Sequence, residues 1–138
     1  MKNFLIVGVI ILILLVAGAW LSKTLSSKNG DIIAKGGIHW HPMLKIFISG
    51  KEYEIPQNIG LGAIHIPVHT HEDLPLIHLE FNGLVKKDDI KLGVFFRNWD
   101  KDMHSIGSDL KMTVNGKENS EYENYVMQDG DKIELYYN

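Results

Sequence analysis

Seven histidines occur in this chain of 138 residues, and six of them fall between positions 39 and 78. Four stand as alternating pairs, His39-Trp40-His41 and His69-Thr70-His71. On a strand, every second side chain shares a face, so each pair presents two imidazoles to the same side. Neutral imidazole is a ligand for zinc, copper, nickel and iron, and two such pairs brought together supply a nitrogen site. The chain has no cysteine. Disulfides, thiolate-bound zinc and iron–sulfur clusters are excluded, which leaves imidazole, with carboxylate or thioether in support.

The residues around the second pair specify its local geometry. Ile64, Ile66, Val68 and Thr70 are β-branched at every second position, and His65, Pro67, His69 and His71 lie between them. Glu72-Asp73-Leu74-Pro75 reads as a turn, after which Ile77, Leu79 and Phe81 alternate with Leu76, His78 and Glu80. Folding the two runs antiparallel about that turn sets Thr70 against Ile77, Val68 against Leu79 and Ile66 against Phe81. The same register sets His69 against His78, with directly opposed Cβ atoms about 5 Å apart. His71 then lies one pleat along and Glu80 beyond His78. The candidate metal ligands are His39, His41, His69, His71 and His78. Met43 shares the parity of His39 and His41 if that strand has no bulge, and reads as a soft ligand or as core. Glu80 is a candidate second-sphere acceptor for a histidine, while Glu72 and Asp73 read as turn charges. His65 and His104 read as ordinary polar surface residues.

The elements that must position these rings are short. Leu44, Ile46 and Ile48 alternate with polar or aromatic neighbours, Ser49-Gly50-Lys51 offers a tight turn, and Tyr53 and Ile55 resume the pattern, which predicts a hairpin. Leu92, Phe95, Phe96 and Trp99 follow helical spacing, with Asp88 or Asp89 as the cap and Gly93 as a weak point. Leu110, Met112 and Val114 lead into the Asn115-Gly116 turn, and Asp129-Gly130 introduces a last strand, 132–137. The expectation is an α+β domain of one sheet with one covering helix, in an order compatible with a β-grasp-like roll.

Ahead of it, Phe4 to Leu21 is an uncharged run of eighteen residues, nearly long enough as a helix to span a bilayer core. A transmembrane anchor over residues 1–22 is the first reading, and Trp20 suits an interface. A cleaved signal peptide is the rival, since Lys2 precedes the run and Ala17-Gly18-Ala19 supplies small residues. Either reading places the rest outside the cytoplasm. Residues 23–37 read as a polar linker and 38–138 as the histidine-rich domain. The first thirty residues hold only Lys2, Lys23 and Lys28 as charges, leaving 11 basic against 17 acidic side chains beyond them. That excess of negative charge argues against nucleic acid as a partner.

Enzyme templates fit poorly. No Gly-x-Ser-x-Gly elbow, phosphate loop or His-Glu-x-x-His helix is present. His69-Thr70-His71-Glu72-Asp73 resembles the opening of the metallo-β-lactamase motif, but Leu74 replaces the histidine that should follow. The order and spacing of five segments resemble a largely uncharacterised family of membrane-anchored bacterial and archaeal extracytoplasmic domains. Those segments are His39-Trp40-His41, Ile55-Pro56-Gln57-Asn58-Ile59-Gly60, His69-Thr70-His71-Glu72, Ile77-His78-Leu79-Glu80 and Leu92-Gly93-Val94-Phe95-Phe96-Arg97-Asn98-Trp99. Leu74-Pro75 stands where a Gly-containing turn is usual. The resemblance covers about residues 38–99 and implies that the histidines form a shared design, without an established activity. The expected function is binding, delivery or sensing of a transition metal, copper first and zinc second, by a domain anchored in the cell membrane. A small metalloenzyme with an open metal position and a surface interaction domain are the alternatives.

Overall fold

Alternating apolar residues, tight Gly-containing turns and one aromatic helix face account for most of the architecture. The computed structural model describes the backbone of residues 2–138 and the side chains of residues 6–22 and 31–138. The chain divides into two compact units, split after Ile32. The first is a helix, α1 (Lys2–Gly30). From Ile6 to Leu21 its large apolar side chains are exposed on every side. Among the described residues no helix is long and apolar enough to cross a membrane, and this corrects the expected transmembrane span. The flanking lysines Lys2, Lys23 and Lys28, and the polar run from Ser26, lie outside the residues whose side chains are described.

The second unit contains β1 (Ile32–Ala34, beginning at the boundary), β2 (Ile38–Trp40), β3 (Met43–Ile48), β4 (Lys51–Tyr53), β5 (Val68–His69), β6 (His78–Phe81), β7 (Val85–Lys86), α2 (Leu92–Asn98), β8 (Lys111–Val114), β9 (Lys117–Asn119) and β10 (Lys132–Tyr137). They form three sheets, which corrects the expectation of one: β1–β7, β4–β3–β10–β8–β9 and β2–β6–β5. In the five-stranded sheet β10 runs parallel to β3, with Ile133 beside Leu44 and Leu135 beside Ile46, and antiparallel to β8. The hairpin β3–β4 forms one side of this sheet, the hairpin β8–β9 the other, and the last strand lies between them. Both hairpins turn through paired left-handed residues, Ser49-Gly50 and Asn115-Gly116, matching the twist of their strands.

The core lies between this sheet and α2. Leu44, Ile46, Met112, Ile133 and Leu135 from the strands meet Leu92, Phe95 and Phe96 from the helix, and Trp99 packs against them. The expected cap of α2 is misplaced by one short turn. Asp88 and Asp89 belong to a preceding 3₁₀ turn (Lys87–Ile90), where Asp89 accepts from the Lys86 amide at 2.8 Å, while α2 begins after Lys91 with no side-chain cap. Gly93, a weak helix former, is there for space. A Cβ at this position would come within 2.9 Å of the Glu123 carbonyl oxygen, so its absence lets the 122–124 turn lie against the helix.

Candidate metal centre

The three-stranded sheet carries the histidines. β6 is its central strand, with His39 of β2 beside Glu80, Trp40 beside Leu79, and His69 of β5 beside His78. Val68 and Leu79 face the core and are buried, so the other face presents His39, His78, Glu80 and His69. The expected register about residues 72–75 is the observed one at Val68–Leu79 and His69–His78. The ladder is shorter than expected, because β5 holds two residues and Ile64 and Ile66 are exposed.

His69 and His71 are held from behind. Thr70, between them, points to the other side and is fully buried; its Oγ1 donates to the Pro56 carbonyl at 3.0 Å and accepts from the Ile59 amide at 3.1 Å. The Thr70 amide donates to the Ile59 carbonyl. Gly60, at φ +75°, completes this buttress: a Cβ there would stand 3.0 Å from the Val68 carbonyl oxygen and 3.2 Å from the His69 Cβ. From α2, the Asn98 side-chain amide donates to the Val68 carbonyl at 2.8 Å. The segments 55–60 and 92–99 thus hold the His69-Thr70-His71 strand in place.

Hydrogen bonds fix which ring nitrogens carry lone pairs. His69 Nδ1–H donates to the Ile66 carbonyl at 2.9 Å, so the neutral ring has its lone pair on Nε2, which lies 3.1 Å from Nε2 of His71. His69 is 2 % exposed. Burial, the largest influence, holds its pKa below the ordinary value and favours the neutral, ligand-competent ring. His78 Nε2–H donates to the Asp73 carboxylate, at 3.0 and 3.1 Å from its two oxygens. That bond draws the Asp73 carboxyl below the usual range. It also leaves the lone pair of neutral His78 on Nδ1, which is buried and has no hydrogen-bond partner. Glu80 Oε1 stands 3.7 Å from Nδ1, beyond hydrogen-bonding reach, and 3.1 Å from His39 Nε2.

The five predicted ligands are therefore brought onto one face, in two overlapping groups. Ligand atoms of His69, His71, His78 and Glu80 all lie within 4.8 Å of one another, as do those of His39, His41 and His78. Met43 does not accompany them. The run from β2 breaks at Pro42, which has no amide proton to continue a ladder, and β3 passes into the five-stranded sheet with Met43 beside Lys132. His65 is exposed and stacks 5.9 Å from His69. His104 pairs with Glu123 elsewhere on the surface at 3.1 Å. Asp73 was legible only as a turn charge, although its position five residues before His78 and across a turn places it within reach. A cleft of about 360 Å³ beside β4 is lined by Leu44, Tyr53, Ile55, Leu74 and Pro75, with Glu52 and Glu54, and by no histidine.

Comparison of the chain with protein-family models, curated proteins and solved structures gave no match.

Proposed function

We propose that the domain binds a transition metal through His69, His71 and His78, with His39 and His41 completing the ligand supply. The observation that carries this reading is His78 itself. A residue 7 % exposed donates one ring N–H to a carboxylate and leaves the other nitrogen buried without a hydrogen-bond partner. An unmet buried polar atom costs about 1–3 kcal/mol, so it calls for an explanation. A metal ion supplies one, because ligating histidines typically give their other N–H to a carboxylate or a carbonyl. His78 with Asp73 and His69 with the Ile66 carbonyl both have that form.

Copper is the first choice and zinc the second. Imidazole suits both, copper(II) forms the stronger complexes along the divalent series, and nothing in a cysteine-free ligand set selects against it. The role is binding, delivery or sensing of the ion rather than catalysis. The setting we propose is extracytoplasmic, carried by the uncharged run from Phe4 to Leu21 read as an export signal. Elemental analysis of the full chain, wild type beside a His69→Ala, His71→Ala double variant, tests the binding. Stoichiometric copper or zinc in the wild type and its loss from a folded variant are expected. A wild-type chain that neither retains a transition metal nor takes one up on titration would overturn the reading.

A further inference from the structure

Five imidazoles and a carboxylate exceed what one ion of this kind takes from a protein. Ligands about 2.0–2.1 Å from a single ion stand no more than about 4.2 Å from one another. Here the histidines fall into two groups, and His78 belongs to both. The rings form a continuous file. Centroids lie 4.7 Å apart from His39 to His41, 4.8 Å from His41 to His78, 4.7 Å from His78 to His71 and 4.8 Å from His71 to His69. The file begins at solvent and ends on a buried ring: the His39 side chain is 65 % exposed, His41 and His71 are half-buried, and His78 and His69 are buried. The two ends also differ in how they are held. His69 is fixed by the Ile66 carbonyl and its strand by Thr70 and Asn98, whereas the outer end is held at the His41 amide by Asp129 Oδ1 and at the His39 ring by Glu80.

We infer that the histidine face carries two alternative ion positions sharing His78, an outer one on His39 and His41 that captures the ion and an inner one on His69 and His71 that retains it. This rests on the metal-binding reading above. The single buried lone pair of His78 serves one ion at a time, so the two positions are successive rather than simultaneous. Transfer is ligand exchange: the ion keeps its bond to His78 Nδ1 while the bonds to His39 and His41 break and those to His69 and His71 form. Its oxidation state does not change; His69 Nε2 offers a free lone pair, while His71, whose Nε2–H donates to His69 Nε2, passes that proton to solvent or moves it to Nδ1 as the ion arrives. Glu80, close to both His39 and His78, lies beside the shared position.

Cobalt(II), whose visible spectrum reports its ligands, follows the process when mixed with the metal-free full chain. At one equivalent the wild type is expected to show a rapid spectrum that converts to a second, slower one, with final binding of one ion per chain. The His39→Ala, His41→Ala variant should lose the rapid phase and arrive slowly at the second spectrum, with one ion still bound per chain. The His69→Ala, His71→Ala variant should show the rapid spectrum alone, with a weakly held ion. If the outer variant loaded as fast as the wild type, or lost the ion as completely as the inner variant, the two-position account would be overturned while metal binding stood. Failure of the wild-type chain to bind cobalt(II), copper(II) or zinc(II) would overturn both.

Discussion

Among the histidine–carboxylate pairs of the described residues, His78 with Asp73 at 3.0 Å and His104 with Glu123 at 3.1 Å are nearly equal in length. In both, the carboxyl is drawn below its ordinary pKa. They differ in what surrounds the ring. The His104 side chain is 54 % exposed and borders Tyr122, so water solvates the ring. The His78 side chain is 9 % exposed, stands against His41, His69 and His71, and keeps a buried nitrogen without a partner. A short contact between imidazole and carboxylate is therefore no mark of a site. Burial, a lone pair fixed by the hydrogen bond on the opposite nitrogen, and converging neighbours distinguish one pair from the other.

The largest difference should appear when each ring is removed. His78→Ala is expected to abolish retention of copper or zinc, measured by elemental analysis of the full chain, while His104→Ala leaves it intact. Circular dichroism separates metal loss from unfolding, and Asp73, whose side chain is 49 % exposed, remains solvated when its partner is gone. Retention of metal by a folded His78→Ala protein would remove the distinction between the pairs.

Next in size is removal of each carboxylate. Asp73→Asn should weaken metal affinity by roughly 10–100-fold, the usual effect of losing a partner that orients a ligand. Glu123→Gln should leave affinity unchanged. Equal effects of the two substitutions would show that the charge of the domain, and not the orientation of His78, governs binding.

The supports of the two pairs sharpen the contrast in stability. Thr70→Val removes a buried hydroxyl that bonds Pro56 and Ile59 behind the histidine strand, and should cost about 1–3 kcal/mol in chemical denaturation of the metal-free protein. Ser105, next to His104, donates to the Asp102 carbonyl from an exposed position. Its replacement by alanine should change stability by no more than about 0.5 kcal/mol.

The smallest effect concerns acid. Its own backbone amide and then His104 hold the Glu123 carboxyl below its ordinary 4.5. A carboxyl depressed in the folded state lends stability that is present above the unfolded value and lost as pH falls through the folded one. Glu123→Gln should accordingly lower stability slightly above about pH 4.5, where the carboxylate lends it, and flatten the acid limb so that variant and wild type converge in strong acid. Denaturation midpoints from acid to neutral pH check it; a variant that differed from the wild type only in strong acid would contradict it.

What was legible beforehand follows physical range. Period-two alternation of β-branched residues specified the pairing of His69 with His78, because a slip of one residue would have turned Val68 and Leu79 to solvent. The Ser49-Gly50 and Asn115-Gly116 turns and the aromatic face of α2 are local signals of the same kind. The partnership of β2 with β6 is not local. Nothing within 38–41 says that His39 will sit beside Glu80, and Pro42, which ends the run, was there to be read as the point where Met43 parts from the pair. Asp73 escaped as an orienting group for a related reason: turn carboxylates are usually solvated, and only the closure of the 72–75 turn brings this one onto His78. The division into three sheets, and the lack of a membrane-spanning helix among the described residues, were likewise beyond what alternation and a count of apolar positions could supply.

The central claim is atomic: a metal ion is bound by Nδ1 of His78 and Nε2 of His69, each ring oriented by a hydrogen bond on its other nitrogen. Nitrogen-15 NMR of the histidine rings during titration of the full chain with zinc(II), a diamagnetic stand-in for either metal, tests it most directly. The account predicts that His78 Nδ1 and His69 Nε2 shift on binding while His78 Nε2–H and His69 Nδ1–H keep their protons. Coordination through His78 Nε2, or ring signals unmoved at saturating zinc, would contradict it.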